Sequence, residues 1–160
     1  MSTICNSTPL IHLSRVGHLE LLRLLFAQVL VPQAVIAEVL PGTPAIAEPI
    51  RDGWVVPTTV VDVAKVEELA RRLGGAGEAE VIALALEHPG STVLVDERAA
   101  RLVCQELGLN TLGTLGVLLA GKSAGQLPAV RPIVDALVAR GFWLDADTRE
   151  HVLRLAGEHA

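Results

Sequence analysis

Short apolar runs alternate with stretches of helical period along most of this chain, the pattern of a parallel sheet covered on both faces. Thr3-Ile4-Cys5-Asn6 opens it as a short buried strand. Ser7 and Thr8 can cap the next helix, whose first turn holds Pro9, where a missing N–H costs nothing. Leu19, Leu22, Leu25 and Phe26 recur at helical spacing, and Val29-Leu30-Val31 reads as a second strand. Pro32 starts a helix bearing Val35, Ile36 and Val39, with Glu38 near its middle; Pro41-Gly42 and Pro44 end it. The segment from Gly42 to Asp52 is a loop or broken helix, and Trp54-Val55-Val56 a peripheral strand.

Asp62 can cap a helix with Val63, Val66, Ala70 and Leu73 on one face, while Glu67 with Arg71 and Glu68 with Arg72 offer i,i+4 pairs on the other. Gly74-Gly75-Ala76-Gly77 breaks it, and Glu78 opens an Ala-rich helix to about Glu87. Thr92-Val93-Leu94-Val95 is the clearest buried strand and delivers Asp96 to its C-terminal end. A helix from Arg98 to Leu107 is stopped by Gly108 in the left-handed cap position. Helices near 113–123, 128–140 and 145–157 follow a short Leu109-Asn110-Thr111 segment. The 160 residues predict one compact domain over 1–160, an α/β core over about 3–111 and a helical part over 112–160.

Composition narrows the function. Hydrophobic residues make up 51%, yet Phe26, Phe142, Trp54 and Trp143 are the only aromatic ones, so Leu, Val, Ile and Ala must build the core. A net charge of −5 supplies no general basic field for nucleic acid, and stacking platforms for bases are scarce. Two cysteines, Cys5 and Cys104, do not make a disulfide framework and fit a reducing cytoplasm. The N-terminus lacks the basic and apolar regions of a signal peptide. The apolar stretch from Leu19 to Leu40 is interrupted by Glu20, Arg23, Gln28, Pro32, Gln33 and Glu38, so no membrane span is expected.

Four carboxylates stand at separated points, each beside an apolar segment: Glu38, Glu78, Asp96 and Glu97. They can share a site only if several strands end on one edge of a sheet, which is where open parallel sheets gather their chemistry. Asp96 at a strand end is the strongest of them; it could instead cap the helix that follows. Glu78 sits where a helix N-terminus stabilises a carboxylate, and Glu80, roughly half a turn away, could face the site in its place. Glu38 lies amid Val35, Ile36, Val39 and Leu40, where an unpaired buried charge is costly, unless it belongs to a surface stripe. Converging carboxylates repel unless a cation neutralises them. Mg²⁺ and Mn²⁺ prefer oxygen donors, need one or two carboxylates plus phosphate oxygens, activate water and stabilise charge on a phosphodiester.

Other motifs carry less. Gly116-Val117-Leu118-Leu119-Ala120-Gly121-Lys122-Ser123 spells the phosphate-loop pattern, but its apolar middle reads as a buried helical turn, with Lys122 a helix-end cation. His12, His18, His88, His151 and His159 show no zinc spacing with the cysteines, and no nucleophilic triad is supported around Ser7 or Cys5. The paired helices around Gly125 lack a basic recognition face.

Asn6-Ser7-Thr8-Pro9-Leu10-Ile11, Val31-Pro32 through Glu38, Gly77-Glu78-Ala79-Glu80 through Ala85, Val95-Asp96-Glu97 through Arg101, and Gly108 through Gly116 occur in that order. Together, over about residues 3–157, they resemble the PIN-domain superfamily of small nucleases, in particular its prokaryotic branch of nucleic-acid-binding and toxin-like proteins. The resemblance implies a three-layer α/β/α sandwich with a central, mainly parallel sheet. It implies a Mg²⁺- or Mn²⁺-dependent endoribonuclease acting on single-stranded RNA, with a small antitoxin protein as a partner. A homodimer is expected from the apolar, helical C-terminal third. By that resemblance Asn6, Glu38, Glu78 and Asp96 hold the metal, with Glu97 as neighbour or substitute of Asp96 in catalysis. Ser7 orients the site, Glu80 is an alternative to Glu78, and Arg98 and Arg101 lie in reach of phosphate. Asn6 departs from the family's usual aspartate. Its amide can offer an oxygen to a metal but brings no charge and no base, which makes a non-cutting binding module the alternative.

Overall fold

The computed structural model describes residues 1–159. Among them, five strands form one all-parallel sheet: β1 (Thr3–Cys5), β2 (Val29–Pro32), β3 (Val55–Thr58), β4 (Thr92–Leu94) and β5 (Asn110–Leu112), in the spatial order β3-β2-β1-β4-β5. Ile4 stands opposite Leu30 on one side and Val93 on the other, and Cys5 opposite Leu94, so the central strand is flanked by apolar residues along its inner half, while Thr3 faces Thr92 at its start. Ile4, Cys5, Val29, Val31, Val93 and Leu94 are fully buried, as a parallel sheet with both faces covered requires.

Among the described residues ten α-helices surround the sheet: α1 (Ser7–Arg15), α2 (Glu20–Phe26), α3 (Gln33–Val39), α4 (Ala47–Asp52), α5 (Val63–Leu73), α6 (Ala76–Glu87), α7 (Arg98–Glu106), α8 (Thr114–Ser123), α9 (Arg131–Ala139) and α10 (Ala146–Leu155). Helix α6 packs with α5 and α7, and α8 with α1 and α2; the right-handed crossover rule sets these two groups on opposite faces of the parallel sheet, the three-layer α/β/α sandwich expected. Helix α6 buries Ala79 and then Val81, Ile82, Ala83, Leu84 and Ala85 in succession, because it lies over β1, β2 and β4 and is covered outside by α5. Among the described residues no helix is long and apolar enough to cross a membrane.

Several local expectations shift. Helix α3 starts at Gln33 and ends at Val39, so Glu38 sits in its exposed last turn rather than its middle. The i,i+4 pairs on α5 are not formed: Glu68 takes Lys65 at 3.0 Å, and Arg72 reaches Glu106 on α7. A long guanidinium takes a tertiary partner as readily as a helical one, and such surface pairs are weak in either case. The 42–52 segment is a 3-10 turn over Pro44–Ile46 leading into α4.

The phosphate-loop letters lie inside α8. A Cβ on Gly121 would come within 2.9 Å of Leu21 Cδ1 and 3.1 Å of Leu127 Cδ1, so that glycine permits close packing of α2 on α8. Lys122 Nζ donates to the Ala156 carbonyl at 2.6 Å, which ends α10, and to Glu158 at 2.9 Å. Glu158 also accepts from the backbone N–H of Val130 (2.7 Å) and Arg131 (3.0 Å). Burial opposes its ionisation, but Lys122 and these N–H groups prevail and hold its carboxyl down to about 2.

Candidate functional site

Parallel strands deliver their C-terminal ends to one edge, and the chain reverses its direction of travel across the sheet between β1 and β4. That crevice is where a doubly wound sheet places its ligands. Asn6 follows β1 directly and is 1% exposed. Its backbone N–H continues the ladder to the Leu94 carbonyl at 3.0 Å. It occupies the cap position of α1, yet its side chain makes no cap bond there. Asn6 Nδ2 instead crosses the crevice and donates to Glu97 Oε2 at 3.2 Å. Ser7, the first residue of α1, is buried beside it in sequence, and the hydroxyl of Thr8 is buried without a hydrogen-bond partner among the described residues.

Asp96 leaves the end of β4, and both its oxygens are engaged. Oδ1 accepts from Thr114 N–H and Oδ2 from the Thr114 hydroxyl, each at 2.7 Å. Asp96 therefore caps α8, not the α7 that follows it in sequence. The cap residue of α8 is Gly113, which has no side chain of its own to use. A Cβ there would stand 3.0 Å from Asp96 Oδ1 and 3.6 Å from Arg101 Nη1, so the bare glycine is what admits the carboxylate.

Glu78 is the third residue of α6. Its pKa is raised, first by burial and then by the like charges of Glu97 and Glu38. Glu38 reaches the start of the same helix: its Oε2 lies 3.0 Å from where a Cβ on Gly77 would be. Glu78, near the N-terminus of α6, thus feels the charges of both Glu97, which Asn6 contacts, and Glu38. Glu80 is turned elsewhere. Its Oε1 accepts from Ala34 N–H at 3.4 Å in the first turn of α3, and it lines a separate small cleft with Gln33, Thr59 and Val63. Arg98, the first residue of α7, and Arg101, one turn later, are both exposed.

A cleft of about 580 Å³ opens beside Asp96. Arg101, Gly113, Leu119, His12, Phe142 and Trp143 are among its walls. The His12 ring meets Phe142 edge-on, with centroids 4.9 Å apart. Burial lowers the pKa of His12, opposed by Asp96 and Glu97 and reinforced by Arg15. His12, Phe142 and Trp143 carry no motif in the sequence; the one signal was two of the four aromatics standing side by side. A roomier cleft of about 1110 Å³, lined by Gln28, Asp52 and Trp54, lies at the opposite edge where β2 and β3 begin, away from all these groups.

Among the described residues no three His, Cys, Asp or Glu side chains are close enough to enclose an ion by themselves. The donor chemistry still fits a hard cation. The groups are oxygen donors, and the pKa of Glu78 is raised by burial first and then by like charges, both of which a bound cation would offset. Magnesium-type ions use one or two carboxylates and fill their remaining positions with water and phosphate. Thiol chemistry is disfavoured: both cysteines are buried, which drives the Cys5 pKa far up and Cys104 to about 11.

A family model described as a PIN domain matches residues 2–158, nearly the whole chain. No curated protein matches it.

Proposed function

The chain belongs to the PIN-domain family, and on that footing we propose that it is a metal-dependent endoribonuclease cutting phosphodiester bonds of single-stranded RNA. The observation that carries this reading is the hydrogen bond from Asn6 to Glu97 at the β1–β4 crevice, supported by Glu78, whose pKa is raised by burial and then by Glu97 and Glu38. Asn6, Glu38, Glu78 and Asp96 would hold Mg²⁺ or Mn²⁺, with Glu97 beside them. When bound, such an ion acidifies water and offsets charge on the phosphodiester. Asn6 fixes the Glu97 carboxylate, Asp96 ties the site to α8, Ser7 shapes its floor, and Arg98 and Arg101 meet backbone phosphate.

Asp96→Asn is the test. It removes one charge while an amide can still bond Thr114, so the fold survives and Mn²⁺-stimulated cleavage of unstructured RNA should be lost. Undiminished cleavage by that variant would sink the assignment.

One observation favours a second reading, a module that binds RNA without cutting: the first position of the site is a neutral amide that donates to Glu97 rather than an acid. Wild type that neither binds Mn²⁺ nor cuts at millimolar metal, beside an Asn6→Asp variant that does both, decides for it. In either case a small antitoxin protein covering the site is the proposed partner, carried by the resemblance to toxin components. Relief of growth arrest on co-expression with such a protein tests it.

A further inference from the structure

Aromatic side chains are scarce here, two Phe and two Trp in 160 residues with no Tyr. Trp54 is buried. Phe142 and Trp143 are neighbours in the short connection between α9 and α10, and both line the cleft that holds Asp96 and Arg101. They behave oppositely. Phe142 turns inward against His12, with its backbone N–H bonded to the Leu137 carbonyl at 2.9 Å. Trp143 turns outward and is 82% exposed. On its far side Leu144 is half-buried, and Asp145 caps α10 by accepting from Thr148 N–H at 2.7 Å and the Thr148 hydroxyl at 2.8 Å. The indole therefore rides on a backbone pinned at both ends.

A lone exposed apolar ring is ordinary on a protein surface. A fixed one on the rim of a cleft that also holds a guanidinium and the Asp96 carboxylate is not explained by packing. We infer that Trp143 is a stacking platform for an unpaired base of the bound RNA strand, with Arg101 in the same cleft contacting a phosphate of that strand. The inference rests on the nuclease reading for the identity of its ligand.

The chemistry agrees with it. A flat π face accepts any base, and removing such a platform typically costs on the order of 10- to 100-fold in affinity. The cleft's 580 Å³ falls within the roughly 300–1,000 Å³ of sites that enclose small organic ligands. Arg101 makes no ion pair among the described residues, which leaves its charge for a phosphate. On a chain of net charge −5 affinity has to come from such local contacts. Paired bases are already stacked on one another, so the platform selects single strands.

The test is a titration of a labelled, unstructured RNA dodecamer carrying one 2-aminopurine, in EDTA and again with Mn²⁺. Trp143→Ala should weaken binding on the order of tenfold or more and abolish 2-aminopurine quenching, with an unchanged melting temperature because the ring is exposed. Trp143→Phe should retain most of the affinity, and the same RNA annealed to its complement should show no difference between variants. Equal affinity of wild type and Trp143→Ala for the single strand overturns the inference and leaves the ring to a protein contact; so does a wild type that binds no RNA in either condition. Cleavage is scored separately. RNA held through Trp143 but never cut overturns the nuclease reading and leaves the platform standing. RNA cut without dependence on Trp143 does the reverse.

Discussion

Both carboxylate oxygens of Asp96 grip Thr114, one on its backbone N–H and one on its hydroxyl, at 2.7 Å each. A residue proposed for chemistry thereby also caps, through space, a helix that starts 18 positions further on, supplying an acceptor that Gly113 cannot. The two roles separate by substitution. Asp96→Ala strips the cap and should lower stability by about 1 kcal/mol in urea unfolding. Asp96→Asn, which can still accept from the N–H, should keep most of that stability, because Asn and Asp cap helices about equally well.

Asn6 and Glu97 predict a metal-dependent stability. Asn6→Asp would replace a donor with a second carboxylate in a position that is 1% exposed and hydrogen-bonded to Glu97. With EDTA present the variant should be destabilised on the order of 3 kcal/mol. Millimolar Mn²⁺ should restore most of that loss, read as a rise in melting temperature larger than in the wild type. No differential rise would remove Asn6 and Glu97 from the proposed metal site.

Glu78 makes stability fall with rising pH. Its folded-state pKa is raised by burial and by Glu97 and Glu38, so the folded chain holds that proton more tightly than the unfolded one. The contribution is fully present below the ordinary carboxylate pKa and is lost as pH climbs through the raised value. Glu78→Gln, uncharged and of similar shape, should therefore melt higher than wild type at pH 7, with the advantage gone in acid. Mg²⁺ should raise the melting temperature of the wild type at pH 7 more than that of Glu78→Gln.

Glu158 behaves in the opposite sense. Its carboxyl is held down to about 2, so its stabilisation is present above the ordinary carboxylate pKa and disappears as pH falls toward 2. The side chain is 13% exposed and joined to Lys122, Val130 and Arg131. Glu158→Gln should cost about 2 kcal/mol at pH 7 by urea unfolding, with the gap to wild type closing on acidification. Lys122→Ala should destabilise similarly, and ATP or GTP should leave the wild-type melting temperature unmoved, because the phosphate-loop letters form a helix.

Local pattern carried most of the architecture. Thr3–Cys5 and Thr92–Leu94 are strands because each is an apolar run too short for a helix and bounded by turn residues, and the structure has them buried side by side at the sheet's centre. Gly108, at φ +72, follows α7 where a left-handed residue was expected. Asp62 caps α5, accepting from Lys65 N–H at 3.0 Å. Such features depend on neighbours a few residues away, and periodicity and cap chemistry record them directly.

The partners of the acids depend on distance in space. Glu78 and Glu80 differ by two positions on one helix, and the rotation of α6 against the sheet sends the first toward Glu97 and Glu38 and the second to the start of α3. Glu38 was expected mid-helix, but α3 is short and brings it over Gly77 in its last turn. Asp96 could have capped the helix beside it in sequence; the β4–β5 pairing instead set Thr114 against it. Trp143 had no periodicity to mark it, and only the docking of Phe142 on His12 put its ring at the cleft. Hydrophobic spacing dictates which residues are buried and where the chain turns. Which buried or rim groups meet is decided by strand order and helix rotation, and both are set by contacts between segments tens of residues apart.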